Sequence, residues 1–279
     1  MAVIDEGVPE EGEPADVSEM PVLRVSGLSK RYEGVQALDD VSLDVEDNEV
    51  LALVGDNGAG KSTLIKLLTG VIDPTGGTLH VRENGSLVPR TIDDPNEAQE
   101  IGIETVFQDL GLSGQHDVAS NVFMGREPVR DDVFGSLLRR VDREQMERRS
   151  VEALEEIGFS VDPTARTAEL SGGQQQAIAV ARALISDPEV ILLDEPTAEV
   201  SVEGSEKILD LVERLQKRGL TVVFISHNLE EVLEVADRIA VLRDGRLVKM
   251  LENDGSVTHD YVVGLMTGAQ AIEDEEGSE

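Results

Sequence analysis

Apolar and polar residues alternate from about Leu23 to Val45, with breaks at Glu33-Gly34 and at Glu46 to Asn48. A period of two predicts strands with one covered face, so the chain opens with an antiparallel β layer. Val50 to Val54 is wholly apolar, which predicts a short strand buried on both faces, and it runs straight into GDNGAGKSTLIKLLTG, a loop and a helix stopped at Gly70. GGTLHV and SLVPR, joined across Asn84-Gly85, predict a hairpin. From Asp117 to about Phe159 the pattern turns helical, with Met146, Val151, Leu154 and Ile157 at helical spacing, and this stretch is expected to be an inserted α-helical subdomain. Beyond Leu170 the chain alternates: a helix to Ile185, strand EVILLD, helix SEKILDLVERLQKR, strand TVVFIS, helix NLEEVLEVA, strand RIAVLR. That order predicts an α/β fold with a parallel sheet and ligand loops at the carboxyl ends of its strands.

At 279 residues and 40% apolar content the chain can fill a sizeable core. Its net charge of −33 changes the picture more. Residues 1 to 20 hold seven acidic side chains and no basic one, and residues 271 to 279 hold five more, so both ends read as solvated, disordered tails. Taking those twelve away still leaves −21 on the body, and lysine is scarce, 6 against 18 arginines. Concentrated salt would screen such self-repulsion, and the expected setting is a cytoplasm with molar salt, as in halophiles. The acidity also argues against nucleic acid as a partner, because phosphate contacts need clustered Lys and Arg. Without cysteine there is neither a disulfide framework nor a thiolate metal site. No secretory signal is visible and no apolar run approaches the roughly 18 residues that span a bilayer, so a soluble, intracellular chain is expected, reaching any membrane through a partner.

GDNGAGKS, comprising Gly55, Asp56, Asn57, Gly58, Ala59, Gly60, Lys61 and Ser62, fits G-x-x-x-x-G-K-[ST] in the strand-to-helix context a phosphate cradle requires, and Thr63 follows in the helix. Its backbone N–H groups and the helix N-terminus suit phosphate oxygens, Lys61 suits the β- and γ-phosphates, and Ser62 suits Mg²⁺. VILLDEPTA places Asp194 at the end of an apolar strand, where a carboxylate is costly unless it serves a cation. Asp194 therefore fits the magnesium shell, through a bound water, and Glu195 is the candidate general base for an attacking water. His227 in VFISHN and Gln108 in TVFQDL end strands in the same way; alone, either reads equally as a structural residue. Tyr32, one of seven aromatic residues, could stack on adenine or be an ordinary surface tyrosine. In LSGGQ, Ser171 and Gln174 form a capping box, which leaves Gly172 and Gly173 unexplained, since two glycines weaken the first turn. They make sense if the backbone must approach a phosphate closely, one other than that held by Lys61.

Taken together and in this order, Gly55 to Ser62, Gln108, LSGGQ, LLDEP and His227 resemble the ATP-binding cassette of ABC transporters, over about Val22 to Leu251. The resemblance implies a P-loop NTPase core, residues 21–268, between tails 1–20 and 269–279, with the helical subdomain at about 109–172. It implies two cassettes facing head to tail, identical or sister subunits, each ATP lying between one P-loop and the partner's Leu170, Ser171, Gly172, Gly173 and Gln174. It further implies that Tyr32 stacks adenine, that Gln108 links magnesium, water and the membrane subunit, and that His227 holds the γ-phosphate. The stretch 109–160 would receive the permease. GIETVFQDLGL, DVASNVFMGRE and VVFISHNLEEVLEVADRIAVLRDGR look like the ATPases of monosaccharide importers of the ribose, xylose and fructose class. On that likeness the chain is an ATP-hydrolysing subunit on the cytoplasmic face of the membrane, served indirectly by an extracytoplasmic sugar-binding protein. One departure is that AEVS puts Ser201 where most cassettes have aspartate, beside an unusual Glu199. Other cargo, export, or a soluble non-transport cassette are the competing readings.

Overall fold

The computed structural model describes residues 20–130, 140–198 and 200–269; the two acidic tails, apart from Met20 and Ala269, and Glu199 lie outside them. Strands β1 (Leu23–Tyr32) and β2 (Val35–Val45) turn through Glu33 and Gly34, both at positive φ, and β3 is Val50–Val54. Helix α1 (Lys61–Leu68) follows, then β4 (Gly76–Glu83) and β5 (Ser86–Arg90), joined across Asn84-Gly85 with φ of 50° and 76°. Two positive φ values in a two-residue turn match the strands' right-handed twist. Next come α2 (Pro95–Glu100), β6 (Ile103–Val106), α3 (Val118–Val122), α4 (Arg143–Glu156), α5 (Gly172–Leu184), β7 (Val190–Asp194) and α6 (Val202–Lys217). The last described elements are β8 (Thr221–Ile225), α7 (Leu229–Val235), β9 (Arg238–Arg243), β10 (Arg246–Glu252) and α8 (His259–Thr267).

The strands make a four-stranded antiparallel sheet, β2-β1-β4-β5, and a six-stranded sheet, β10-β9-β3-β8-β7-β6. In the larger sheet β9, β3, β8, β7 and β6 run parallel and β10 closes one edge antiparallel to β9. Alternate side chains of each parallel strand enter different cores. Leu51, Leu53, Leu192, Val223 and Ile225 pack with the antiparallel sheet, α1 and α2. Ala52, Val54, Leu193, Val222 and Phe224 pack with α3 to α8. Burial on both faces is why these strands read as unbroken apolar runs.

Within the helical stretch expected from Asp117 to Phe159, the described residues form two helices, α3 and α4. Gly125, at φ 80°, lies just beyond α3, and Pro128 has no N–H to offer a helix. There the chain pairs with itself, Arg130 N–H donating to the Arg140 carbonyl at 2.9 Å and Asp142 N–H to that of Pro128 at 2.7 Å. Met146, Leu154 and Ile157 are buried as their spacing predicts, but Val151 is only half-buried and Ser150 takes the inner position. Asn121, fully buried on α3, ties α3 to the segments flanking it: its amide donates to the Ser113 and Asp117 carbonyls and to Thr167 Oγ1, and its Oδ1 accepts from Ser113 N–H.

Candidate active site

Register brings four loops to one edge of the large sheet. Leu53 of β3 pairs with Ile225 of β8, Ile225 with Asp194 of β7, and Leu193 of β7 with Val106 of β6. The segments that follow are therefore neighbours: Gly55–Ser62, Ser226–His227, Glu195 and Gln108. The cradle after β3 is folded tightly onto the rest of the chain. A Cβ on Gly55 would lie 2.3 Å from the Leu242 carbonyl oxygen, and one on Gly60, at φ 108°, would lie 2.7 Å from Leu38 Cδ2. Glycine is required at both by the cradle's own packing.

Lys61 opens α1 with its ammonium buried and donating to the carbonyls of Gly55 at 2.6 Å and Asp56 at 3.2 Å. Burial lowers its pKa, opposed by the carboxylates of Glu195, Asp194 and Asp56. Asp194 is pushed the other way: burial raises it, neighbouring Glu195 raises it further, and Lys61 and Lys66 pull it down. A desolvated carboxylate pair beside one ammonium, with the exposed Ser62 hydroxyl at the helix start, is the oxygen-rich setting that a hard divalent cation takes. Asp194 and Ser62 thus have the oxygen chemistry that could hold Mg²⁺.

Glu195 adopts φ 50° immediately before Pro196, a conformation costing on the order of 1–3 kcal/mol in a non-glycine residue. Its carboxylate Oε2 lies 3.4 Å from His227 Nδ1. The imidazole is exposed and the carboxylate mostly covered, so the pair presents one wet and one sheltered group at the same edge. Gln108, exposed, shares with Glu195 and Pro196 a cavity of about 190 Å³, whose far wall is Gly172, Gln175 and Val200. Tyr32 is 42% exposed at the β1–β2 turn, and β2 returns from it to supply Ala37 and Leu38, on which Gly60 sits.

LSGGQ stands apart. Ser171 Oγ accepts from Gln174 N–H at 3.3 Å and Gln174 Oε1 accepts from Ser171 N–H at 3.0 Å, so the capping box is formed, with Leu170 half-buried before it. A Cβ on Gly173 would rest 3.7 Å from Gly204 Cα, an ordinary contact, and Gly172 is exposed. Packing within the described chain therefore asks for no glycine at 173. Ser171–Gln174 line a groove of about 610 Å³ with Ser201, Gly204 and Lys207, and none of Gly55–Thr63 borders it. Ser201, in the expected aspartate position, caps α6 by accepting from Gly204 N–H at 3.3 Å.

Two groups escaped the sequence. A cleft of about 320 Å³ is lined by Gln99, Glu104, Phe107, Met124 and Arg126, among others. At its floor Glu104, raised in pKa by burial, pairs with Arg126 at 3.0 Å and accepts from Ser186 and Gln99. The other group is Thr197, Ser226 and Glu231, hydrogen-bonded beside Glu195 and His227. Neither has a local period or motif to betray it.

The family model of the ABC transporter matches residues 38–198, more than half of the chain. The chain is 41% identical to the fructose import ATP-binding protein FrcA of Rhizobium meliloti, over 91% of this chain and 96% of that one. It is 42% identical to the ribose import ATP-binding protein RbsA 1 of Rubrobacter xylanophilus, again over 91% of this chain but over 48% of that one, so it spans about half of that relative's length. Among solved structures, the dimeric post-hydrolysis state of the ATP-binding cassette MJ0796 bound to ADP and Pi superposes with a TM-score of 0.69 at 26% identity, covering 84% of this chain and 99% of that one.

Proposed function

The chain belongs to the ABC transporter family, and from that premise we propose that it is the ATP-hydrolysing subunit of a sugar importer, working through separate permease subunits. The observation that carries the hydrolytic reading is the convergence of Lys61, Asp194, Glu195 and His227 at one sheet edge. The cradle's N–H groups and Lys61 bind the phosphates, the Lys61 ammonium exchanging its carbonyl partners for phosphate oxygens. Ser62, Gln108 and Asp194 would hold Mg²⁺, which would neutralise phosphoryl charge when bound. Glu195 accepts a proton as water attacks the γ-phosphorus and the bond to the ADP oxygen breaks, while His227 steadies the γ-phosphoryl oxygens. Tyr32 stacks on adenine.

The name of FrcA and the dimer of MJ0796 support two further parts of this reading, a sugar as cargo and a second cassette as partner. The opposite cassette supplies Ser171–Gln174, which is why a glycine that this chain's own packing does not require stands at 173. No described helix is long and apolar enough to cross a membrane. The cleft between α2, β6 and the segment after α3 is where a permease on the cytoplasmic face would seat, with Met124 exposed at its rim. An extracytoplasmic binding protein delivers the sugar to that permease.

Glu195→Gln tests the base. It should bind ATP with unchanged affinity and lose about 10²- to 10⁴-fold in single-turnover hydrolysis; undiminished turnover removes Glu195 from the role.

A further inference from the structure

The hydrolytic edge depends on two short segments beyond the strand ends: Glu195 to Ala198 after β7, and Ser226 to Asn228 after β8. Glu195 holds φ 50° before a proline, and such a conformation lasts only where neighbours over-determine it. Its N–H donates to the Ile225 carbonyl at 3.0 Å, and Ala198 N–H donates to the Glu195 carbonyl at 3.2 Å. A side chain completes the set. Thr197 Oγ1 donates to Glu231 Oε2 at 2.7 Å, and Ser226 Oγ donates to the same oxygen at 3.1 Å while accepting from Asn228 N–H at 3.0 Å. Thr197 and Ser226 are both buried, where hydrogen bonds are strong and costly to lose. One carboxylate oxygen on the first turn of α7 thus joins the residue two beyond Glu195 to the residue just before His227.

We propose that Glu231 is a positioning residue for ATP hydrolysis: its Oε2 clamps the two segments together and so sets the Glu195 carboxylate against the His227 imidazole. The proposal rests on the reading of Glu195 as the base. A bland role for Glu231, an acidic residue favoured at a helix N-terminus, is shared by Glu230 in the same turn, so Glu230 is the control. The geometry also separates clamp from charge. Both hydroxyls donate to one oxygen, so the amide oxygen of glutamine can accept both, whereas leucine keeps much of the volume and accepts neither.

The test is steady-state ATPase on the full chain copurified with its permease. Glu231→Leu should lower kcat by roughly 10- to 10²-fold, the cost of a small misplacement, with KM for ATP within about twofold. Glu231→Gln and Glu230→Ala should stay within about threefold of the starting kcat. Wild-type kcat in Glu231→Leu overturns the clamp, and so does a Glu231→Gln variant that falls as far as Glu231→Leu. If Glu231→Leu fails to fold, Thr197→Val cuts the same bond from the other end and must lower kcat with KM unmoved; unchanged kcat there overturns the clamp. Glu195→Gln run alongside separates the failures: full turnover in it removes the base reading beneath, while its loss together with full turnover in Glu231→Leu removes the clamp alone.

Discussion

A methyl group at Gly55 would collide with the Leu242 carbonyl at 2.3 Å, whereas one at Gly173 would meet nothing nearer than Gly204 Cα at 3.7 Å. Both glycines belong to motifs to which we assign phosphate binding, yet only the first is explained by the chain that carries it. Around the P-loop and Glu195 the side chains answer one another: Lys61 rests on carbonyls of its own loop, Asp194 and Glu195 bear on its charge, and His227 meets Glu195. Around Ser171 the capping box accounts for Ser171 and Gln174 and for nothing else. A feature that internal packing leaves unexplained points outward, and here it points to a second copy or a sister chain.

The largest expected effect breaks or makes that comparison directly. In a mixed dimer with Lys61→Ala in one subunit and Ser171→Arg in the other, head-to-tail sites concentrate both lesions in one nucleotide site and leave the other intact. With both substitutions in one subunit and none in its partner, each site carries one lesion. Turnover of the first arrangement should exceed that of the second by on the order of 10²-fold. The reverse ranking would show that each cassette uses its own signature segment.

Next come the two glycines. Gly55→Ala should cost roughly 1–3 kcal/mol in denaturant unfolding, because overpacking and a disfavoured φ act together. Gly173→Ala should leave unfolding within about 0.5 kcal/mol of the parent and still lower dimer ATPase by roughly tenfold or more. A marked loss of stability in Gly173→Ala would return that glycine to ordinary packing.

The smallest effect sharpens the reading of Ser171. Ser171→Ala should cost about 1 kcal/mol through the lost cap, while Ser171→Asp, an equally good cap, should cost only a few tenths. The carboxylate of Ser171→Asp would repel an incoming phosphate, so the ATPase ranking should invert the stability ranking, with alanine above aspartate. Melting curves and turnover measured on the same preparations check it; parallel rankings would mean that capping is all Ser171 does.

Much of this was legible in the sequence because it is local. RIAVLR coincides with β9, and EVILLD and TVVFIS overshoot β7 and β8 by one residue each, since strands covered on both faces leave unbroken apolar runs. The helical spacing of Met146, Leu154 and Ile157 marks α4, whereas the break after α3 is signalled only by Gly125 and Pro128. β10 leaves little apolar signal because only one of its side chains is buried, although Asp244-Gly245, at φ 51° and 78°, carries the same hairpin signature as Asn84-Gly85. In the site, single residues in motifs were readable and long-range partners were not. Thr197 and Glu231 are 34 positions apart and meet only because β7 and β8 lie side by side.

The groove along Ser171–Gln174, which none of the chain's own P-loop residues border, has a kinetic consequence. If every working site borrows a segment from another molecule, the reaction is second order in cassette when dilute, and specific activity falls on dilution without any loss of fold. A permease that seats two cassettes turns that encounter into an intramolecular one, at an effective concentration near the ~mM range of short tethers. The membrane partner would then act as the enzyme's activator as well as its load, and free cassettes would stay idle rather than spend ATP.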